Sequence, residues 1–241
     1  MAGTMISVII PTFNEEKALP ATLQHLLSQP GDYEVLVVDG GSTDRTSEVL
    51  QGFGFCSNYP RLTPHASRVR LTAPKGRAAQ MNVAAKEARG EWLLFLHADT
   101  KLPDGALLRL NELAADQSIQ AGGFFHRFSG SDWRLKLISF LDNFRCARSR
   151  IIYGDQAMFV RRPLFERLGG FPSQPILEDV AFCERLIKVT TPLLLRPPVV
   201  TDSRKFIKMG IWRSFLRVLL IILHVEFGLP FLPRVFFQDV R

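Results

Sequence analysis

Cysteine is scarce in this sequence, which contains only Cys56, Cys146 and Cys183. The three residues are far apart and form no CxxC pair, so we expect no disulfide framework. Isolated thiols fit a reducing compartment, where buried structural cysteines are common, and this predicts a cytoplasmic protein. The first residues run directly into an apolar segment with no basic stretch before it, so we expect no signal peptide.

Linkers, repeats and nucleic-acid signatures are also missing. No low-complexity tract divides the 241 residues, so we expect one large domain, residues 1–205, followed by a C-terminal appendage, residues 206–241. The net charge of +7 suits a nucleoside diphosphate, an anionic lipid or nucleic acid, although a basic surface needs no partner. The basic residues are dispersed, and we therefore expect no nucleic-acid partner.

Strands and helices alternate along the chain. This alternation predicts an α/β fold with a mostly parallel sheet that is covered by helices on both faces. The predicted strands are Ile6–Pro11, Tyr33–Asp39, Val69–Thr72, Trp92–Leu96, Ala121–Arg127 and Gln156–Val160. The predicted helices are Asn14–Leu27, Thr43–Phe53, Gly76–Arg89, Gly105–Asp116, Asp132–Arg145 and Glu178–Val189, and Gly54–Arg68 is predicted to be a loop.

The segment His97-Ala98-Asp99-Thr100 directly follows the buried-strand pattern Trp92-Leu93-Leu94-Phe95-Leu96. Open α/β sheets bind ligands at the carboxyl ends of their strands. A carboxylate at that edge can hold a divalent metal, and the metal can hold a diphosphate. The same four residues would also suit an ordinary polar turn.

Three further polar segments follow strands or begin helices. They are Pro11-Thr12-Phe13-Asn14-Glu15-Glu16, Asp39-Gly40-Gly41-Ser42-Thr43-Asp44 and Lys75-Gly76-Arg77. Asp39 can accept a hydrogen bond from a base or ribose, the glycines allow close backbone approach, and Arg77 can bind a phosphate. Each segment alone is an ordinary turn or cap, but together with Asp99 they predict one nucleotide-binding crevice. No GxGxxG motif follows the first strand, which argues against a dinucleotide-binding Rossmann domain.

These segments, together with Glu178-Asp179, resemble the ordered motifs of family 2 glycosyltransferases with the GT-A fold. The stretches 75–82 and 154–157 resemble, more narrowly, the radical-SAM/selenodomain-associated transferases. The resemblance implies that a nucleotide sugar is bound by Pro11, Thr12, Asn14, Glu15, Asp39, Gly41, Arg77, Asp99, Asp155 and Gln156.

The resemblance also implies a metal and a catalytic base. Asp99 matches the last aspartate of the metal-binding DXD motif, whereas His97 stands in place of the first. Imidazole suits Mn²⁺ better than Mg²⁺, so His97 is either a ligand or a hydrogen-bond donor to ribose or diphosphate. In the Glu-Asp motif, Asp179 would be the base and Glu178 its positioning neighbour. Both could instead be first-turn residues favoured by the helix dipole, and Asp155 could be a turn carboxylate.

Charge-free apolar runs long enough to cross a bilayer, about 20 residues, are also missing. The apolar segment Gly210–Glu226 is interrupted by Arg213 and Arg217, four residues apart. This pattern predicts a helix that lies in a membrane interface. A helix packed on the domain or in a homodimer interface is the alternative.

The combined motifs and the resemblance that they carry imply an inverting glycosyltransferase that uses Mn²⁺ or Mg²⁺ and a nucleotide-diphosphate sugar, with a UDP-sugar as the expected donor. The acceptor is an unidentified hydroxyl compound, for which a lipid-linked molecule is one option. The predicted location is the cytoplasm, with peripheral contact to the cytoplasmic face of the membrane. A non-catalytic nucleotide-sugar-binding or scaffold protein is the alternative. A sugar nucleotidyltransferase would need a Gly-x-Gly-x-Arg loop where Pro11-Thr12-Phe13-Asn14 stands.

Overall fold

The computed structural model describes residues 5–57, 67–174 and 176–227. The described strands are β1 (Ile6–Thr12), β2 (Tyr33–Asp39), β3 (Arg68–Thr72), β4 (Trp92–Phe95), β5 (Thr100–Lys101), β6 (Ala121–Phe128), β7 (Phe159–Arg161) and β8 (Leu193–Thr201). The described helices are α1 (Leu19–Leu27), α2 (Thr46–Gly52), α3 (Arg77–Glu87), α4 (Ala106–Leu113), α5 (Trp133–Ser149), α6 (Arg162–Arg167), α7 (Glu178–Leu186), α8 (Arg204–Met209) and α9 (Ile211–Phe227). A 3-10 turn spans Gly154–Gln156.

The described strands form one eight-stranded sheet in the order β3-β2-β1-β4-β7-β6-β8-β5. Six strands run in one direction, while β7 and β5 run against their neighbours. Alternate residues of β1 bury their side chains on opposite faces, Val8 and Ile10 on one and Ile9 on the other. Both faces therefore carry a hydrophobic core, and the predicted α/β sheet with helices on both sides is confirmed.

Several predicted boundaries were wrong. Helix α1 begins at Leu19 rather than Asn14, because Asn14 has a left-handed backbone (φ 55°) that a helix cannot contain. The predicted strand Gln156–Val160 begins only at Phe159, after the 3-10 turn. Strand β8 was missed because its sequence contains Pro197 and Pro198, which are typical of loops. Within the predicted loop Gly54–Arg68, residues 58–66 lie outside the described residues.

Helices α5, α8 and α9 share a third apolar cluster, at the end of β6. Phe128, Leu135, Ile138 and Ile211 are buried there, and Phe206 packs against them. The predicted domain boundary between residues 205 and 206 falls inside α8, and residues 228–241 of the predicted appendage lie outside the described part of the chain. None of the helices in the described ranges combines the length and the apolarity that crossing a bilayer requires.

Candidate active site

The turns after β1 and β2 are tied together by side-chain hydrogen bonds. Asp39 accepts from the Ser42 backbone N–H (3.0 Å) and hydroxyl (2.6 Å). The Ser42 hydroxyl in turn accepts from the Asn14 N–H (2.9 Å), and Asn14 Oδ1 accepts from the Thr43 N–H (2.8 Å). Gly41 has a left-handed φ of 85° with open space beside it, so glycine is favoured there. Asn14, Asp39 and Gly41 thus shape the two turns predicted to bind the nucleotide.

Pro11 and Thr12 lie within the buried end of β1. The Thr12 hydroxyl donates to the Val38 carbonyl (3.0 Å). From α3, the Gln80 side chain donates to the carbonyls of Thr12 (2.6 Å) and Val38 (2.9 Å). Sequence reasoning assigned no role to Gln80, which joins the carboxyl ends of β1 and β2 through these two hydrogen bonds.

The carboxylates of Glu15 and Asp99 face a common point, which the ammonium of Lys205 occupies. Lys205 Nζ lies 2.8 Å from Glu15 Oε1 and 3.4 Å from Asp99 Oδ2. Burial raises the pKa of Glu15, and Lys205 only partly offsets this. Burial would lower the pKa of Lys205, but Asp99 and Glu15 outweigh it and hold that pKa above its ordinary value. The sequence offered no signal for Lys205, which lies far from Asp99 along the chain.

This pair of carboxylates suits a hard divalent cation. Magnesium and manganese sites in nucleotide enzymes use one or two protein carboxylates and complete their coordination with phosphate oxygens. Among the described residues, no three His, Cys, Asp or Glu side chains converge to hold a metal by themselves. Glu15 and Asp99 would therefore supply the protein oxygens, and a metal at their meeting point would displace the Lys205 ammonium.

The His97 imidazole lies against the 3-10 turn. A Cβ atom added at Gly154 would lie 2.5 Å from His97 Nε2, and this buried nitrogen has no hydrogen-bond partner among the described residues. Burial lowers the pKa of His97 well below its usual range, and the positive charges of Arg77 and Lys205 lower it further. The ring is therefore neutral, as a metal ligand must be. The contacts described for Asp99 do not include His97, so its role as a ligand stays a prediction.

Arg77 pairs with both carboxylates of the Glu-Asp motif at the start of α7. Arg77 Nε donates to Glu178 Oε1 (2.6 Å), and its NH2 group lies 3.3 Å from Asp179 Oδ2. The backbone N–H of Gly154 also donates to Asp179 Oδ2 (2.6 Å). Glu178 and Asp179 are buried, so the guanidinium offsets part of the cost of placing two charges there. Arg77, predicted to bind the nucleotide, is engaged with the predicted base.

Asp155 and Gln156 have different surroundings within the 3-10 turn. Gln156 is buried and its Oε1 accepts from the Tyr153 N–H (2.9 Å), so it holds the turn. Asp155 Oδ2 lies 3.6 Å from Nε2 of the buried His126. Burial raises the pKa of Asp155, while His126 lowers it. Asp155 Oδ1 and both ring nitrogens of His126 have no hydrogen-bond partner among the described residues. Buried polar atoms of this kind usually bind water or a ligand.

The structure therefore gathers most of the predicted site residues at one edge of the sheet. His97, two residues before Asp99, and the Arg77 guanidinium both lie against Gly154, whose N–H donates to Asp179 Oδ2, so the two carboxylate pairs lie near each other. Such an arrangement can hold a cation and a diphosphate beside a carboxylate base. Sequence reasoning treated His126 as an ordinary histidine, and no local pattern distinguished it.

Comparison with known proteins identifies the family of the chain. The profile of glycosyl transferase family 2 matches residues 7–169. The chain is 34% identical over 181 residues to a PGL/p-HBAD biosynthesis glycosyltransferase of Mycobacterium bovis (strain BCG / Pasteur 1173P2), covering 71% of this chain and 64% of the relative. It is 30% identical over 172 residues to the undecaprenyl-phosphate 4-deoxy-4-formamido-L-arabinose transferase of Pseudomonas aeruginosa (strain LESB58), covering 68% and 49%. The chain thus spans less than two thirds of the length of these relatives.

A solved structure extends the similarity to the whole fold. The mannosyltransferase PcManGT from Pyrobaculum calidifontis, in complex with GDP-Man and Mn²⁺, is similar with a TM-score of 0.64 and 26% identity, covering 100% of this chain and 68% of that one. The shared architecture is the GT-A fold. The family model covers more than half of the chain, and the chain therefore belongs to glycosyl transferase family 2.

Proposed function

We propose that this protein transfers a sugar, with inversion, from a nucleotide-diphosphate sugar to a lipid-linked acceptor. The observation that carries the proposal is the buried Glu178-Asp179 pair, which is held by Arg77. It lies close to the Glu15-Asp99 pair, which holds the ammonium of Lys205. The description of the Pseudomonas relative as an undecaprenyl-phosphate sugar transferase supports the acceptor class. The similarity of residues 75–82 and 154–157 to the radical-SAM/selenodomain-associated subgroup remains part of this proposal.

The proposed chemistry assigns Asp179 as the general base. The acceptor oxygen attacks the anomeric carbon while the bond to the nucleoside diphosphate breaks, and a hydroxyl acceptor gives its proton to Asp179. Glu178 and Arg77 are positioning residues, because they hold that carboxylate through the contacts described above. A divalent metal, when bound by Asp99 and Glu15, would stabilise the negative charge of the departing diphosphate. Lys205, once released from the two carboxylates, can bind the phosphates.

The proposed donor and metal would occupy the same site. A UDP-sugar is the donor that the sequence predicts, and Mn²⁺ or Mg²⁺ is the proposed metal. The similar mannosyltransferase was solved with GDP-Man and Mn²⁺, so GDP-sugars belong in any test. Asn14, Asp39 and Gly41 would border the nucleotide, and Asp155 with its unpartnered oxygen would hydrogen-bond the donor sugar or the acceptor.

The proposal includes peripheral contact with the membrane through α9, because a lipid-linked acceptor is presented at a bilayer surface. Cytoplasmic location remains a prediction from the isolated cysteines. A homodimer through α9 is the alternative use of that helix, and the two differ in whether the protein binds vesicles.

A donor screen tests the proposed activity. We expect Mn²⁺-dependent hydrolysis of one of a panel of UDP- and GDP-sugars, and Asp179→Asn should lower turnover about 10²- to 10⁴-fold, as loss of a general base does. Donor affinity should change little, because the base acts mainly in the transition state. Asp104→Asn, at an exposed position, is the matched control. Nucleotide binding without turnover on any donor would favour the scaffold alternative.

A further inference from the structure

Helix α5 exposes a stripe of large apolar side chains. Trp133, Phe140 and Phe144 are 65%, 66% and 58% exposed, and Leu137 and Leu141 lie exposed between them on the same side of the helix. The core-facing side of α5 is separate and contains Leu135, Ile138, Ser139 and Cys146. The helix is therefore apolar on two sides, and a soluble surface rarely exposes aromatic rings in such a row.

Helix α9 continues this stripe. Trp212, Leu216 and Leu219 are exposed. The ring centroids of Trp133 and Trp212 lie 6.1 Å apart with an edge-on geometry, so the two stripes meet. We call the exposed apolar side chains of α5 and α9 the two-helix face, and its members are Trp133, Leu137, Phe140, Leu141, Phe144, Trp212, Leu216 and Leu219.

The helices that form or adjoin this face are strongly basic. Helices α5, α8 and α9 contain nine lysines and arginines and two acidic residues, a net charge of +7 that equals the formal net charge of the whole chain. Counting the flanking Asp132 and Asp202 as well still leaves +5. No described carboxylate pairs with the exposed Lys136, Arg148 or Arg213. By helical spacing, Lys136 and Arg148 border the α5 stripe.

We propose that the two-helix face docks the protein on an anionic lipid surface, with its aromatic rings in the bilayer interface and its lysines and arginines against the headgroups. Apolar burial and attraction to anionic lipid act together in such binding. A second copy of this chain is a poor occupant, because it would bring one strongly basic face against another.

The face is connected to the active site through α5 and through α8, the helix that directly precedes α9. On α8, Lys205 contacts Glu15 and Asp99, and the neighbouring Phe206 packs on Phe128 with ring centroids 4.5 Å apart. On α5, the Asn143 side chain binds the backbone of His126, which faces Asp155. Docking would therefore set the site beside the headgroup layer, where a lipid-linked acceptor is presented. This last step rests on the proposed activity, whereas docking itself extends the membrane contact proposed above for α9 and needs no turnover.

Vesicle binding by the full chain tests the proposal without donor or turnover. The probes are phosphatidylcholine vesicles with and without phosphatidylglycerol, followed by flotation and by quenching of tryptophan fluorescence with brominated lipids. Trp133 and Trp212 are exposed whereas Trp92 is fully buried, so quenching reports contact at the face. We expect binding to anionic vesicles that weakens with salt.

A double variant tests whether vesicle binding depends on this face rather than on nonspecific adsorption. Phe140→Glu with Phe144→Glu should weaken binding to anionic vesicles at least about tenfold, since each lost ring forfeits apolar burial and adds a repelled charge. The matched control is Leu108→Glu with Val189→Glu, at exposed apolar positions elsewhere, which should bind like the wild type.

Three results would overturn the proposal. They are equal binding to neutral and anionic vesicles, unchanged binding by the folded Phe140/Phe144 variant, and a dimer without vesicle affinity that the same variant dissociates. Failure of the donor screen with intact vesicle binding would count against the proposed activity and leave the docking surface standing.

Discussion

Replacing Arg77 with methionine would remove the cation shared by Glu178 and Asp179 while keeping most of the side-chain volume. The two carboxylates are 3% and 7% exposed, whereas the Arg77 side chain is 34% exposed. Breaking a fully buried pair costs about 3–5 kcal/mol because a charge is left uncompensated. Solvent reaches Arg77, and Asp179 keeps its bonds from the Gly154 and Val180 N–H groups, so we expect a loss of about 2–3 kcal/mol in the free energy of unfolding.

Denaturant unfolding of the wild type and the variant at neutral pH measures this loss. Arg109→Met, which breaks an exposed pair with Glu112, should cost less than about 0.5 kcal/mol. A deficit for Arg77→Met that is equally small would refute this reasoning.

Two other substitutions probe the neighbouring contacts. Gly154→Ala places a Cβ atom 2.5 Å from His97 Nε2 and should cost about 1–3 kcal/mol of stability by overpacking, measured as a lower melting temperature. Gly52→Ala, with open space beside it, is the control. Equal melting temperatures for the two variants would contradict the contact. Lys205→Met should tighten binding of Mn²⁺ alone about three- to tenfold, since an ammonium no longer competes for Glu15 and Asp99. A Mn²⁺ titration followed by electron paramagnetic resonance measures this affinity, with Lys208→Met as the control. Unchanged affinity would show that Lys205 and the metal do not compete.

The central strands could be predicted because their apolar runs are local and continuous. Strand β2 has the predicted bounds, since Tyr33–Asp39 is buried along its whole length. Strand β8 could not be predicted, because Pro197 and Pro198 lack the N–H groups that a strand ordinarily donates. Its place beside β6 is set by tertiary packing. The start of α1 was misplaced because the left-handed Asn14 serves the neighbouring turn rather than the helix.

Residues of the site could be predicted where a polar motif follows a strand, but the side chains that they contact could not be predicted. Asp99 and Asp39 stand out by their position after apolar runs. The pairing of Arg77 with Glu178 and Asp179 joins segments 101 and 102 residues apart, and Lys205 reaches Glu15 across 190 residues. Such contacts leave no periodic trace in the sequence. The stripe of α5 was hidden for a related reason, because an exposed apolar side has the same helical spacing as a core-facing one.

Calorimetric titration of UDP and GDP, with and without Mn²⁺, into the wild type and Asp99→Asn tests the metal-dependent donor site most directly. The Glu15-Asp99 pair predicts that Mn²⁺ strengthens nucleotide binding to the wild type and to the Asp104→Asn control. That gain should disappear in a folded Asp99→Asn variant, because one of the two metal-facing carboxylates is lost. The same Mn²⁺-dependent gain in Asp99→Asn as in the wild type would contradict a donor site centred on Asp99.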